Sequence, residues 1–187
     1  MLKYVEENRK YVEITGFRNV KIEDAEGFLK ATRKEQQDTA VQFFNAELVA
    51  TWQHLYFAAL NALTAFRNKS NISKNVAMEV MLYASAQRQI RKAIELVGVK
   101  RDSAGVAAVI IGENLDSVKT ALSAVSKRIG AEPDETVLEL SKGKVQSIRR
   151  AFGISERELE TVMKKGDVQQ ALVNLVVERV ALLSTQL

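Results

Sequence analysis

Polar and apolar residues alternate from Tyr11 to Phe17, the period of a strand with one face turned inward. From Lys21 to Lys34 the period becomes helical, with Ile22, Ala25, Phe28 and Leu29 on the inward side. Asp38 to Asn45 reads as a second strand. A long helix from about Ala46 to Arg67 follows, its apolar face formed by Leu48, Val49, Trp52, Leu55, Tyr56, Ala59, Leu60, Leu63 and Phe66. After the polar turn Asn68–Asn71, Ser73 is the expected cap of a helix that begins at Lys74 or Asn75. Between Val76 and Ala84 nearly every position except Glu79 is apolar, so this element belongs in the core. Ser85 is the expected cap of a further helix that stops near Val97-Gly98, with Ile90, Ala93, Ile94 and Val97 on one face and Arg88, Arg91, Lys92 and Glu95 on the other.

Gly105 to Ile111 is almost wholly apolar, the mark of a strand covered on both faces. The helix Leu115–Ile129 is closed by Gly130, and Thr136–Leu140 reads as a short fourth strand after Pro133. The rest is helical: Lys142 to Phe152, Ser155 to Lys164, and Val168 to about Leu183, with start signals at Ser155–Glu158 and Gly166-Asp167. About four strands with packed helices and a helical C-terminal tail predict one compact mixed domain, α+β or α/β, spanning residues 1–187. The pattern does not set the strand directions.

Composition narrows the chemistry. A chain of 187 residues with 47% hydrophobic and 27% charged residues buries a substantial core without a covalent staple. There are no cysteines, which excludes disulfides, thiolate metal sites and thiol nucleophiles and fits a reducing cytoplasm. Acids stand near the N-terminus where a secretory signal needs an apolar run, and the apolar stretches Val106–Gly112 and Ala171–Leu183 are too short to span a membrane. His54 is the one histidine, so a zinc cluster and a Cys/His pair are excluded, and the default is a partly exposed structural histidine. The acid pairs Glu6/Glu7, Glu23/Asp24 and Glu132/Asp134 sit in turns or helix starts, and Gly105 and Gly112 fit no nucleotide-binding fingerprint. No enzyme class, metal or cofactor is expected. A small-molecule enzyme with a dispersed site remains an alternative.

The net charge of +4 is unevenly spread. From Arg67 to Arg101 there are eight basic residues (Arg67, Lys69, Lys74, Arg88, Arg91, Lys92, Lys100 and Arg101) against Glu79 and Glu95. Such a segment is either a solvated helix face or a footprint for nucleic acid.

The stretch Asn71-Ile72-Ser73-Lys74-Asn75 through Tyr83-Ala84-Ser85-Ala86-Gln87-Arg88-Gln89-Ile90 to Ala93-Ile94 resembles the kinase-binding regulatory subunit of the KEOPS complex. The resemblance continues through Ala108–Gly112 and the terminal helix. It implies a part in installing threonylcarbamoyl on adenosine of transfer RNAs that read codons beginning with A. In that complex a separate subunit transfers the group and a small atypical kinase/ATPase sits beside it. The regulatory subunit is not the enzyme; it binds the kinase-like subunit, stimulates the complex and, in archaea, helps hold the single-stranded 3′ CCA end of transfer RNA.

The resemblance gives the basic segment and the terminal helix roles. Single-stranded ends are held by cations on phosphates and by stacking on flat side chains. The implied RNA contacts are Lys69, Lys74, Arg88, Arg91 and Lys92, with Tyr83 either a stacking surface or a core tyrosine. The terminal helix is apolar on most of its circumference and lies either in a groove of its own domain or against a partner. Family kinase binding favours the partner, with Leu172, Leu175, Val176, Arg179 and Leu183 as the expected contact. A stand-alone RNA-binding module is the other alternative.

Overall fold

The computed structural model describes residues 1–20, 24, 27, 32 and 38–185; the expected helix Lys21–Lys34 lies outside the described residues apart from isolated positions. The alternating segments pair into a four-stranded sheet of β1 (Leu2–Val5), β2 (Lys10–Arg18), β3 (Thr39–Asn45) and β4 (Gly105–Gly112). Its order is β1-β2-β4-β3 and every pairing is antiparallel, with Tyr11 opposite Gly112 and Arg18 opposite Gly105 across the central pair. Every residue of β4 is buried, because helices cover both faces of the sheet. Val12, Ile14, Phe44, Val109 and Ile111 face one core with Leu55, Ala59 and Val80. Phe17, Val41, Phe43, Val106 and Ile110 face a second core with Val118, Ala121 and Val125. The result is a mixed α+β fold of helices, sheet and helix.

Among the described residues the helices are α1 (Trp52–Arg67), α2 (Val76–Ser85), α3 (Ile90–Val97), α4 (Leu115–Ile129), α5 (Lys142–Ala151), α6 (Glu156–Val162) and α7 (Val168–Leu182). The last three enclose a third apolar cluster around Ile148, Leu159, Leu172, Leu175 and Val176.

Four local expectations fail for identifiable reasons. The helix expected over Ala46–Arg67 is broken: Ala46–Leu48 is a 3-10 turn, Thr51 sits at φ 87°, and α1 begins at Trp52. The cap of α2 is Asn75, which accepts the Met78 N–H at 2.8 Å, and Ser73 is buried upstream of it. Ser85 ends α2 instead of opening α3, its hydroxyl donating back to the Leu82 carbonyl at 3.0 Å. Thr136–Leu140 is no strand, because Glu135–Leu138 forms a 3-10 turn laid across β2. There the Asp134 N–H donates to the Gly16 carbonyl at 2.8 Å, and a Cβ on Gly16 would come within 2.8 Å of Asp134 and Val137. Lys144, almost fully buried, donates from Nζ to the carbonyls of Val137 at 3.0 Å and Glu139 at 3.1 Å. Side chains thus satisfy backbone groups that a strand would have paired.

Candidate functional site

The segment from Asn68 to Val97 combines a loop, a buried helix and a short exposed helix. Glu79 is fully buried, and its carboxylate accepts the Ile72 N–H at 3.0 Å and the Ser73 N–H at 2.6 Å. An isolated acid in so apolar a helix needs such partners, since burying a carboxylate unsatisfied costs several kcal/mol. Side chains finish the loop: Asn71 Nδ2 donates to the Ser73 carbonyl at 2.8 Å and Ser73 Oγ to the Asn75 carbonyl at 2.8 Å. The loop is therefore fixed from within, and Lys69, Ile72, Lys74 and Asn75 stand exposed on it.

At the other end of α2, Ala86 takes a left-handed turn at φ 51° and the chain reverses into α3. Arg88, Arg91 and Lys92 are exposed there, and Arg91 Nε pairs with Glu95 at 2.8 Å one turn on. All eight basic residues between Arg67 and Arg101 are exposed, whereas Glu79 is inside, so Glu95 is the acid this segment presents to solvent. The structure thus displays Lys69 and Lys74 at the start of α2 and Arg88, Arg91 and Lys92 beyond its end, a separation of about 15 Å along the helix axis.

Of the two readings of Tyr83, the structure matches the core tyrosine. Tyr83 is buried, and its ring offers no face for stacking in this structure. Burial pushes its hydroxyl pKa up, the Glu79 carboxylate adds to that, and Arg88 opposes it. The apolar face of α3 is only half covered: Ala93 and Val97 are buried, while Ile90 and Ile94 are each 45% exposed. The exposed large apolar side chains of this segment are Ile90 and Ile94 on α3 and, at the other end of α2, Ile72.

The terminal helix also differs from expectation. Leu172, Leu175, Val176 and Leu183 are buried in the chain's own core, so as placed they offer no surface. Arg179 is partly exposed and ion-paired to Glu158. Glu158 closes the capping box of α6, and the Ser155 N–H, then Arg179 and the Ser155 hydroxyl, hold its pKa down to about 2. The outer surface of α7 is Val168, Gln169, Gln170, Asn174, Glu178, Ala181 and Leu182.

His54 is fully buried, contrary to the partly exposed default. Its Nδ1 accepts the Ala50 N–H at 3.2 Å and its Nε2 donates to the Ala84 carbonyl at 2.7 Å. Burial lowers its pKa to about 4, with nearby Lys144 adding to the effect, so the ring is neutral and tied into structure. Among the described residues no group of three or more His, Cys, Asp or Glu is placed to hold a metal ion. A cleft of about 650 Å³ at the end of β3 brings Asp38 and Glu113 near Lys10, and Lys10 Nζ neutralises Glu113 at 2.7 Å.

The fold is a mixed sheet-and-helix domain that presents a basic, exposed loop-and-helix segment. Residues 17–184 match the model of the CGI-121 kinase-binding protein family, and the chain belongs to that family. It is 34% identical over 127 residues to the regulatory protein Cgi121 of Methanocaldococcus jannaschii, a match covering 65% of this chain and 79% of the relative.

Proposed function

We propose that this protein is the non-catalytic, cytoplasmic regulatory subunit of a KEOPS complex, binding the atypical kinase/ATPase subunit and the 3′ CCA end of transfer RNA. The observation that carries the RNA reading is the exposed cationic segment around a loop fixed by Glu79. Lys69, Lys74, Arg88, Arg91 and Lys92 take the phosphates, and unstacked terminal bases lie against Ile90 and Ile94. A loop whose backbone is already satisfied pays little ordering entropy when the RNA arrives. Family membership supports the kinase partner. Its contact is the outer side of α7, near Leu182, which is 44% exposed, and Arg179.

The mechanism is positioning. Holding the RNA end and the kinase-like subunit on one rigid body turns separate encounters into one oriented assembly. Titrating the purified kinase-like subunit against the chain and against Leu182→Arg tests the docking half. The variant is expected to lose binding while keeping its RNA affinity. Unchanged kinase affinity would remove α7 from the contact.

A further inference from the structure

β1 forms one edge of the sheet, and among the described residues nothing pairs with its outer side. The Ile14 N–H donates to the Met1 carbonyl at 2.9 Å, which sets the hydrogen-bonding parity of the β1–β2 ladder. In an antiparallel pair bonded positions alternate, so Lys3/Val12 and Val5/Lys10 are bonded across the ladder. The N–H and C=O groups of Leu2 and Tyr4 therefore point away from β2. Apolar side chains flank this open edge on both faces. Leu2, 40% exposed, and Tyr4, 48% exposed, lie on one face, with Tyr4 against Tyr11 at 4.8 Å between ring centroids. On the other face Lys3 Nζ sits 5.4 Å over the Trp52 ring, and the aromatic run continues through Tyr56 to Phe57, itself 40% exposed.

We infer that the outer edge of β1 is a docking site for an extended segment of a partner protein, added as an antiparallel fifth strand with an apolar–acidic–apolar pattern. Leu2 and Tyr4 supply four backbone hydrogen bonds, and apolar residues opposite them cover their side chains. The residue between those two stands opposite Lys3, and a carboxylate there completes the pair. A second copy of this chain fits less well. The two-fold register that pairs Leu2 with Tyr4 sets Lys3 directly against its own copy, and like charges facing across a strand pair repel. β1 lies before the family-matched residues 17–184 and apart in sequence from both the basic segment and α7.

The test uses the isotope-labelled full chain and two blocked nonapeptides, one with Ile-Glu-Ile at its centre and one with Ile-Lys-Ile. Amide exchange at Leu2 and Tyr4 is expected to slow on adding the glutamate peptide, which binds roughly fivefold tighter than the lysine peptide. Lys3→Glu reverses that preference. Tyr4→Pro removes an outward donor and the Tyr4 ring while leaving the β1–β2 hydrogen bonds in place, and weakens binding on the order of tenfold. Unchanged exchange at Leu2 and Tyr4 with either peptide would overturn the inference. So would protection of those amides that grows with protein concentration alone, which would assign the edge to a second copy.

Discussion

Three buried polar side chains, His54, Glu79 and Lys144, hydrogen-bond backbone groups of loops and helix ends, two of them at the candidate site. His54 links the Ala50 N–H before α1 to the Ala84 carbonyl near the end of α2. Its pKa falls from 6.5 in the unfolded chain to about 4 in the fold. Between those values the unfolded chain binds a proton that the folded chain refuses. The stability is fully present above pH 6.5 and drains as pH falls toward 4, a loss on the order of 3 kcal/mol. Chemical denaturation at pH 7 and 4.5 is expected to show that slope in the native chain and a shallower one in His54→Gln. Equal slopes would assign the acid sensitivity to other groups. Lys144, held down to about 8 by burial, acts in the same direction at alkaline pH, stability rising from pH 8 toward 10.5. Glu79→Ala orphans the Ile72 and Ser73 amides and is expected to cost about 2–4 kcal/mol by thermal or urea unfolding. None of this burial is visible in the residue names. A lone histidine and a lone acid in an apolar run signal only that something unusual must satisfy them.

At the scale of elements, periodicity located most of the fold. The segments around β2, β3, β4, α4 and α7 follow their patterns closely, because each presents one or two continuous faces to a core. The failures lie where side chains override the local pattern. Four residues carry too little alternation to announce β1, and the apolar run Thr136–Leu140 is captured by Asp134, Gly16 and Lys144 as a turn. Gly16→Ala drives a methyl into Asp134 and Val137 and is expected to lower stability by roughly 1–3 kcal/mol in urea unfolding, whereas Gly143→Ala, which meets open space, is expected to be nearly neutral. On α3, helical spacing cannot tell a covered face from a half-covered one. Val97→Asp should unfold the protein, and Ile94→Asp should leave its melting temperature within a few degrees while weakening RNA binding. A large loss of stability in Ile94→Asp would mean that this side chain belongs to the core.

At the scale of the molecule, the terminal helix packs against α1 and α2, the buried helix beneath the basic segment, and closes the third cluster with α5 and α6. The segment's charge was legible in the sequence, as was the apolar character of α7. Which α7 residues face outward was not, since a helix apolar almost all round gives no preferred side. Lys74→Ala combined with Lys92→Ala is expected to weaken RNA binding and flatten its salt dependence, by a slope change of about 0.7 for each phosphate left without its cation, while leaving kinase binding unchanged. Titration at several salt concentrations reads that slope directly. The central claim is recognition of an RNA end, and it is tested most directly by titrating the chain with full-length transfer RNA and with a copy lacking only the terminal CCA. Selective loss of binding to the shortened RNA is the predicted result. Equal affinity for both would contradict end recognition and reduce the exposed cations to a general basic surface.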